Sequence, residues 1–472
     1  MIHHFLNLAN HTLFLYYLSG NLVYLVALII ALKTSAAHQH GLESFRLRWI
    51  TESPLAPPIA LLAPALNEEK SIRVSIRNLL ELDYPELEVI VINDGSRDRT
   101  LEELQDEFKL RPIRMVYVQQ VPSAEIRGVY RSEVDPRLLV IDKEPGGSKA
   151  DAVNAGLNAA TSPYVCIVDS DSMLERDALL RIMVPVLADP KRVVGVGGIV
   201  RILNGSEIRG GQVIRVRLPS RHIEIIQVIE YLRAFLIGRE AWAQGNMMLI
   251  ISGAFGLFRT DLVRAVGGYR AKAIGEDIDL VVRLHRYLLE KGEPYRIQFV
   301  PDPVCWTEAP FDLRSLGRQR ARWQKGLLDT LRSNIDMLFR SPYGRVGALA
   351  LPYLWIYELL APILELGGIV TIVVAAVLGD LSREFFIQFM IFGYAFATMI
   401  SIGAVLQEEL TYKRYNDWQD VARLVTYCFF EHFPYRQLHM AWRLQGLWQY
   451  MRGDMAWKPL ERKGLETTTA PR

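Results

Sequence analysis

The sequence predicts an α/β domain attached to transmembrane helices, and three observations lead to this class. The chain has 472 residues, enough for two or three domains. Short apolar runs typical of buried strands alternate with helical patterns through its middle. Long apolar stretches that are nearly free of charge lie on either side of that middle part. Alternation of strands and helices indicates a mostly parallel sheet covered by helices.

The composition excludes several classes of protein. Half of the residues are hydrophobic, 22% are charged and the mean hydropathy is +0.12, which excludes a disordered or collagen-like chain. A formal net charge of +2 argues against a surface built to bind nucleic acid, so no nucleic-acid partner is expected. Cys166, Cys305 and Cys428 lie far apart, so neither a disulfide framework nor a cysteine zinc site is expected, and a reducing cytoplasm fits.

The first predicted element is a membrane anchor. Residues 13–32 carry no charge and are long enough to cross a bilayer as a helix. No Lys or Arg precedes them and no Ala-x-Ala site follows, which favours a retained anchor over a cleaved signal peptide. Lys33, Arg46 and Arg48 follow, so the positive-inside rule places the N-terminus outside and the next domain in the cytoplasm. Residues 1–54 are therefore predicted to be an anchor and a linker.

Residues 55–340 are predicted to form the cytoplasmic α/β domain. Residues 70–80 repeat apolar side chains at helical spacing. In such domains ligands bind beyond the carboxyl ends of the strands, so polar residues just after the strands are the candidates for a site. Four apolar runs are predicted as buried strands: residues 59–63, 87–92, 115–118 and 164–168.

The C-terminal part is predicted to return to the membrane. Residues 341–419 should hold transmembrane helices, and residues 385–406 are the clearest span. The preceding apolar stretch contains Glu358 and Glu365, which are seven residues apart and share a helix face. That face should pack on protein or line a polar path, because it should not meet lipid. Residues 420–472 are predicted to be interfacial helices and a cytoplasmic tail, and an even number of C-terminal crossings fits best.

An amphipathic helix is expected at residues 223–237. Its apolar residues could rest on the membrane or on the transmembrane helices, close to residues 319–323. An ordinary core helix of the α/β domain explains the same pattern equally well.

Polar residues follow the first two predicted strands. Asn67 and Glu69 come after the first strand, and Asp94 ends the second, just before a Gly-Ser pair. An acidic residue at such a strand end can bind a ribose or a base edge. A turn and a helix cap explain the same residues without a ligand.

Asp169 and Asp171 follow the buried strand at residues 164–168. Two carboxylates at positions i and i+2 can share a hard divalent cation, which takes its other ligands from a diphosphate and water. The Asp-x-Asp pattern is also frequent in ordinary loops.

Two further motifs lie on predicted helices. Glu276 and Asp277 begin a helix, where acidic residues complement the macrodipole and where a carboxylate could take a proton from an incoming hydroxyl. Gln319, Arg322 and Trp323 share one helix face, on which the Arg suits phosphate oxygens and the Trp offers a flat surface for a sugar. A basic helix at the membrane interface is the other interpretation of the second motif.

Together these motifs resemble membrane-bound glycosyltransferases of family 2, the group that contains cellulose, hyaluronan, chitin and poly-N-acetylglucosamine synthases. The resemblance covers roughly residues 55–340, and its Gln-x-x-Arg-Trp element is the most specific. A Lys-Ala pair before the Asp-x-Asp motif is matched by Lys149 and Ala150, and residues 252–259 resemble the segment that lines the acceptor site. The family pattern D, D-x-D, [T/G]-E-D and Q-x-x-R-W appears as Asp94, Asp169 to Asp171, Gly275 to Asp277, and Gln319 to Trp323.

The resemblance implies a GT-A fold and a nucleotide diphosphate sugar donor, most often UDP-linked, with inversion at the anomeric carbon. It also implies a role for each motif residue. Asp94, Asn67 and Glu69 would contact the nucleoside, Asp169 and Asp171 would hold the nucleotide and Mg²⁺ or Mn²⁺, and Gln319, Arg322 and Lys149 would hold the diphosphate. Trp323 would stack under the acceptor sugar, and Asp277 would be the general base, with Glu276 the next candidate.

The function implied is a β-glycan synthase at the inner face of the cytoplasmic membrane, in contact with membrane lipids. Gly275 replaces the usual Thr, and the gating loop of cellulose synthase has no counterpart. Few helices can enclose a channel only with a partner subunit or a second copy. A non-processive enzyme that adds one sugar to a lipid acceptor, and an inactive membrane scaffold, are the alternatives. The intact acidic set speaks against the scaffold.

Overall fold

The computed structural model describes residues 2–44, 47–51, 53, 56–209, 212–379, 382–415 and 417–454. Arg46 and Pro54 of the predicted linker lie outside the described residues, as do Leu55 of the predicted α/β domain and residues 455–472 of the predicted tail.

A mixed sheet forms the centre of the domain, and within the described ranges ten strands join it in the order β3-β4-β5-β2-β1-β6-β11-β8-β12-β7. β5, β2, β1 and β6 run parallel, and so do β8 and β12. β11 runs antiparallel to both of its neighbours, so the prediction of a mostly parallel sheet is correct only for part of the sheet. The strands are β1 (Ile59–Ala65), β2 (Leu87–Asp94), β3 (Leu110–Pro112), β4 (Ile126–Ser132), β5 (Leu138–Lys143), β6 (Tyr164–Val168), β7 (Met173–Leu174), β8 (Val193–Ile202), β9 (Glu207–Arg209), β10 (Gln212–Arg215), β11 (Phe255–Arg259) and β12 (Arg296–Thr307).

Burial explains which strands the sequence predicts correctly. β1, β2 and β6 are continuous apolar runs with almost every residue buried, as expected for central strands covered on both faces. The predicted strand at residues 115–118 is wrong, because that segment has no regular structure. Its Val116 and Val118 are 97% and 72% exposed. The segment follows β3, which is the edge strand of the sheet and pairs with β4. Among the described residues no further strand is available to pair with residues 115–118.

Helices cover the sheet and continue into the apolar parts of the chain. The predicted helix at residues 70–80 is observed at Ile72–Leu80 (α3). The Glu-Asp motif lies on Glu276–Lys291 (α10), and the Gln-x-x-Arg-Trp motif lies on Leu313–Ser333 (α11). The α-helices are α1 (Ile2–Ser44), α2 (Arg48–Thr51), α3 (Ile72–Leu80), α4 (Thr100–Phe108), α5 (Lys149–Ala159), α6 (Ala178–Ala188), α7 (His222–Leu232), α8 (Glu240–Gln244), α9 (Thr260–Ala265), α10 (Glu276–Lys291), α11 (Leu313–Ser333), α12 (Leu351–Tyr353), α13 (Ala361–Val377), α14 (Arg383–Phe389), α15 (Phe396–Thr411), α16 (Trp418–Phe430) and α17 (Arg436–Met451). Wider π-turns occur at Arg233–Arg239, Val346–Ala350, Leu354–Leu359, Met390–Ala395 and Glu431–Tyr435, and 3-10 turns at Ile335–Met337 and Ser341–Tyr343.

Two of the described helical stretches, Leu8–Ser35 and Phe386–Thr411, are long and apolar enough to cross a membrane. A third crossing is formed if Val346–Leu359 and Ala361–Val377 act as one span, since these helices meet at a bend of 45°. Pro362 lies in the first turn after the bend, where it removes a backbone donor and interrupts the helix. These stretches agree with the predicted spans near the N-terminus and at residues 385–406.

The two glutamates of the bent helix pair meet arginines of α17. Arg436 Nη2 lies 2.6 Å from Glu365 Oε1, and Arg443 Nη2 lies 3.6 Å from Glu358 Oε2. The prediction that this face packs on protein is therefore confirmed. A buried or membrane-embedded carboxylate needs such a partner because its charge is costly to desolvate.

The predicted helix at residues 223–237 is observed as α7 and the π-turn that continues it. Its apolar side chains, such as Ile225, Ile229 and Leu236, are fully buried. The continuous helix packs between β8 of the sheet and the apolar helices α1 and α15. It is thus both a core helix of the domain and the element on which the apolar helices rest.

A buried ion pair also joins the sheet to the apolar helix α15. Arg201 at the end of β8 is 4% exposed, and its Nη2 donates to Oε2 of the fully buried Glu408 on α15 at 2.6 Å. The guanidinium lies 5.6 Å from the ring centre of Tyr412. Breaking a buried pair by removing one partner costs ~3–5 kcal/mol, so this contact fixes α15 against the sheet.

Candidate active site

The candidate site begins at the carboxyl end of β2, where Asp94 is held by a buried lysine. Asp94 lies opposite Lys143 in the register of β2 and β5. Lys143 is fully buried and its Nζ contacts Asp94 Oδ1 and, at 2.7 Å, Asp151 Oδ1. Gly146 N donates to the same Asp94 oxygen at 3.0 Å. Lys143 is a site residue without a sequence signal, because β5 is not among the predicted strands.

Asn67 and Glu69 connect the loops that follow β1 and β2. Asn67 Oδ1 accepts from Arg97 N at 2.9 Å, and Glu69 Oε2 accepts from Arg99 N at 3.1 Å. The backbone N–H of Asn67 donates in return to Ser96 Oγ at 3.0 Å. Both side chains therefore fix the loop after Asp94, and a contact with a nucleoside stays a prediction for them.

Lys149 joins two motifs that are distant in sequence. It lies in the first turn of α5, and its Nζ contacts Asp169 Oδ1 and donates to Gly253 O at 2.7 Å. A Cβ atom at Gly253 would lie 3.2 Å from Lys149 Nζ and 3.9 Å from Asp277 Cβ. The Lys-Ala, Asp-x-Asp and Glu-Asp motifs thus converge around Gly253.

Asp169 and Asp171 offer the oxygen ligands that a divalent cation would need. The Asp169 side chain is 31% exposed and that of Asp171 is buried, on the short segment between β6 and β7. Among the residues that the structure describes, no group of three or more His, Cys, Asp or Glu side chains could hold a metal. Two carboxylates nevertheless fit Mg²⁺ or Mn²⁺, because these ions commonly take one or two carboxylates and complete their shell with phosphate and water.

Glu276 and Asp277 form the first turn of α10. Asp277 Oδ1 accepts from Ile278 N at 2.8 Å, so this carboxylate also makes a cap-like contact with its own helix. Burial raises the pKa of Glu276, and the adjacent Asp277 raises it further, while Lys149 and Arg322 act in the opposite direction. The folded protein therefore favours the protonated form of Glu276 more than the unfolded chain does. The resulting contribution to stability is lost as the pH rises from the ordinary range of a glutamate through this raised pKa.

Two glycines allow the start of α10 to lie directly on α11. A Cβ atom at Gly326 would be 2.9 Å from Gly275 Cα, and one at Gly275 would be 3.2 Å from Gly326 Cα. Gly275, which replaces the Thr of the family pattern, thus permits a close backbone contact. This contact places the acidic turn of α10 against the helix that carries Gln319 and Arg322. No motif in the sequence marks Gly326 as part of the site.

The Gln-x-x-Arg-Trp motif lies on α11. Asp312 caps this helix by accepting a hydrogen bond from Ser315 N at 2.9 Å. Gln319 and Arg322 are half-buried, and Trp323 is 46% exposed. The helix packs on α17 at close contacts, since a Cβ at Gly446 would lie 2.5 Å from Ala321 O. α11 therefore packs against α17, while the alternative of a basic helix at the membrane interface stays open.

A further charged residue close to the site is Arg239. It lies at the end of the π-turn that follows α7, and its guanidinium is 3.7 Å from the ring centre of Phe235. Burial lowers the pKa of Arg239 to about 10, and the negative charge of Asp277 acts against this shift. Arg239 is a lone arginine in an apolar run, so the sequence does not indicate that its charge interacts with the Glu-Asp motif.

The structure therefore brings most of the predicted residues together. Lys149, Asp169 and Asp277 surround Gly253, and Arg322 is close enough for its charge to act on Glu276. Asp94 is linked to this group through α5, because Lys143 bridges Asp94 and Asp151. Asn67 and Glu69 lie on the neighbouring loop. The arrangement presents carboxylates for a metal or a proton and basic groups for phosphate oxygens.

Two family models match the chain. Residues 61–264 match the model described as glycosyl transferase family 2, and residues 164–402 match the one described as glycosyl transferase family group 2. The second match covers about half of the chain, and the two together run from β1 to the apolar helices.

Curated relatives include poly-beta-1,6-N-acetyl-D-glucosamine synthases of two species. The protein of Staphylococcus epidermidis (strain ATCC 35984) is 30% identical over 270 residues, which are 57% of this chain and 54% of that protein. The protein of Staphylococcus aureus (strain COL) is 31% identical over 270 residues, with the same shares. The chain spans about half the length of the curated relatives it matches.

Among solved structures, a mannosyltransferase from Pyrobaculum calidifontis in complex with GDP-Man and Mn²⁺ aligns with a TM-score of 0.48 at 22% identity, covering 86% of this chain and 99% of that one. TarS 1–349 of S. aureus in complex with UDP aligns with a TM-score of 0.39 at 13% identity, covering 84% of this chain and 92% of that one.

Proposed function

This chain belongs to glycosyl transferase family group 2, and we propose that it is an inverting glycosyltransferase that builds a β-linked polysaccharide from a nucleotide diphosphate sugar. The donor we expect is a UDP-sugar. The observation that carries this proposal is the convergence of Lys149, Asp169 and Asp277 around Gly253. It brings cationic and acidic groups to one point at the end of the parallel strands, where ligands of α/β sheets bind.

The donor would bind through two groups of residues, one for its nucleoside and one for its diphosphate. Asp94 would contact the nucleoside, since it is fixed at the end of β2 by Lys143 and Gly146. Lys149, Gln319 and Arg322 would bind the diphosphate, because ammonium and guanidinium groups suit phosphate oxygens. Lys149 would exchange its contact with Asp169 for one with the donor. Asn67 and Glu69 would order the loop beside the nucleoside.

Asp169 and Asp171 would hold Mg²⁺ or Mn²⁺ together with the diphosphate. Such an ion supplies positive charge that stabilises the phosphate oxygens as the sugar bond breaks. Lys149 and Arg322 would also stabilise the leaving diphosphate, since they place fixed positive charges where negative charge develops.

Transfer would take place at the Glu-Asp turn of α10. The acceptor hydroxyl oxygen attacks the anomeric carbon of the donor, the bond from that carbon to the phosphate oxygen breaks, and the nucleoside diphosphate leaves. Asp277 takes the hydroxyl proton, because a sugar hydroxyl is a poor nucleophile until a positioned base accepts its proton. Attack from the side opposite the leaving group inverts the anomeric centre, so an α-linked donor gives a β-glycoside. Trp323 would stack under the acceptor sugar.

The product is proposed to be a membrane-associated glycan. The relatives named poly-beta-1,6-N-acetyl-D-glucosamine synthases make that polymer the first candidate. The helices Leu8–Ser35 and Phe386–Thr411 would anchor the enzyme in the inner membrane, with the site on the cytoplasmic side. A partner subunit or a second copy would complete a path for a long product, since at most three crossings are found among the described residues.

The proposal is tested with the full chain purified in lipid nanodiscs. We expect it to release free nucleotide from one member of a panel of UDP- and GDP-sugars in the presence of Mg²⁺ or Mn²⁺. A ladder of products, beginning with UDP-N-acetylglucosamine as donor, would support the synthase. A single addition to lipid would replace it by the non-processive enzyme, and the absence of nucleotide release from every donor would contradict both.

The orientation in the membrane is tested separately, by protease protection of sealed inside-out vesicles. The positive-inside rule predicts that the α/β domain is digested because it lies on the cytoplasmic face, now outside the vesicle. The segment before Leu8 should be protected. Protection of the α/β domain in intact vesicles, with digestion after detergent is added, would contradict the cytoplasmic location.

A further inference from the structure

The indole of Trp323 contacts the side chain of Arg320, a residue to which no role has been assigned so far. Arg320, three residues earlier on α11, is 2% exposed, whereas Trp323 is 46% exposed. Arg320 Cζ lies 4.2 Å from the centre of the Trp323 ring. The buried guanidinium therefore supports the indole by a cation–π contact, while almost half of the Trp323 surface stays accessible.

Arg320 is in turn held by two elements outside α11. Its Nη2 donates to Glu230 Oε2 on α7 at 2.6 Å. The same carboxylate oxygen accepts from Tyr435 OH at 2.8 Å, just before α17. Charge-assisted hydrogen bonds in a buried setting are strong, so this triad fixes the guanidinium firmly.

Arg320 also reaches the second site residue of α11. Its Nη1 lies 3.4 Å from Gln319 Oε1, a long contact that restrains the amide only weakly. Arg320 thus contacts Gln319, which is proposed to bind the diphosphate, and Trp323, which is proposed to bind the acceptor.

We propose that Arg320 is a positioning residue for the acceptor, which sets the ring of Trp323 through its contacts with Glu230 and Tyr435. The inference rests on the proposed function, because it concerns the acceptor platform of that site. A tryptophan with free rotamers must be ordered when a sugar binds, and this cost lowers affinity. A ring already fixed by Arg320 avoids that cost.

The decisive variant is Arg320→Lys in the full chain in lipid nanodiscs. Lysine keeps the positive charge that Glu230 needs but lacks the flat guanidinium that stacks on an indole. We expect the KM for the acceptor to rise about tenfold, as loss of one cation–π contact predicts. The KM for the donor should change less than about threefold, because the donor does not stack on Trp323 and the contact of Arg320 with the diphosphate ligand Gln319 is long, at 3.4 Å.

The matched control is Arg181→Lys on α6, another arginine that pairs with a buried carboxylate, Asp302. We expect it to lower the melting temperature comparably without changing the KM for the acceptor. A parallel rise of both KM values in Arg320→Lys would mean a merely structural role and would overturn the proposal. Tyr435→Phe, which removes one hydroxyl and no charge, should show the same split at about threefold.

A second measurement does not depend on turnover. Iodide quenching of Trp323 is obtained as the difference between each protein and its Trp323→Phe counterpart. We expect a larger quenching constant in Arg320→Lys than in the unaltered protein, because the ring is released. Equal constants in folded protein would overturn the positioning role. If the unaltered protein transfers no sugar, the proposed function fails, and the quenching comparison alone decides the role of Arg320.

Discussion

Replacing Asp277 by asparagine is expected to lower sugar transfer by about 10²- to 10⁴-fold, the usual effect of losing a general base. Asparagine has the same shape but cannot accept the acceptor's proton. Donor affinity should stay close to normal, because the proposed diphosphate ligands are Lys149, Gln319 and Arg322. Turnover, donor binding by calorimetry and melting temperature are measured on one preparation.

The competing interpretation gives a different result. Asp277 Oδ1 accepts from Ile278 N, so the carboxylate also has a structural role at the start of α10. If that role were the whole function, Asp277→Asn would cost about 1 kcal/mol or less, since asparagine caps helices nearly as well as aspartate. Near-normal turnover would therefore remove Asp277 as the base and leave Glu276 as the next candidate.

A matched control lies two residues further along the same helix. Asp279 is buried and pairs with Arg270 and Arg283, and it has no role in the proposed chemistry. Asp279→Asn should lower the melting temperature more than Asp277→Asn does and yet retain turnover. The pair of variants separates a loss of stability from a loss of the base.

The second large effect is expected at Asp171. Asp171→Asn removes one negative oxygen ligand at constant size, so the affinity for Mn²⁺ in the presence of UDP should fall by about 100-fold or more. Donor affinity and metal affinity should fall together, because the ion and the diphosphate are proposed to bind as one unit. Calorimetry and Mn²⁺ paramagnetic resonance report binding without turnover.

The control for the metal experiment is Asp177→Asn. Asp177 lies after β7, directly before α6, where it pairs with Arg181. This variant should bind Mn²⁺ and UDP normally. Full turnover of the unaltered protein in excess EDTA, or unchanged Mn²⁺ binding in Asp171→Asn, would contradict the assignment of the metal ligands.

The fold class could be predicted because its central strands are continuous apolar runs. The α/β GT-A class expected from the resemblance is confirmed by the family match and the sheet. β4 and β5 were not predicted, and residues 115–118 were predicted as a strand that is absent. An apolar run forms a strand only where another strand can pair with it, and the segment around the 97% exposed Val116 has no strand partner among the described residues.

The site was predictable where a residue acts through its own chemistry at a strand or helix end, as for Asp169 or Asp277. Their roles remain predictions. What the sequence did not indicate is the support between distant segments. Lys143 is recognisable only once β5 is paired with β2, and Gly326 only once α10 lies on α11. These contacts depend on packing between elements far apart in sequence, for which no local pattern exists.

The contact between α11 and α17 has a consequence for how the enzyme is made. The helix that carries Gln319, Arg322 and Trp323 ends at Ser333, but α17, which packs against it, begins at Arg436. A ribosome adding ~5–20 residues per second needs several seconds more before that support emerges. The nascent protein therefore already contains the strands of its sheet and its first apolar helix while the α11 face is incomplete. The order of synthesis delays activity until the apolar helices that precede α17 have been made.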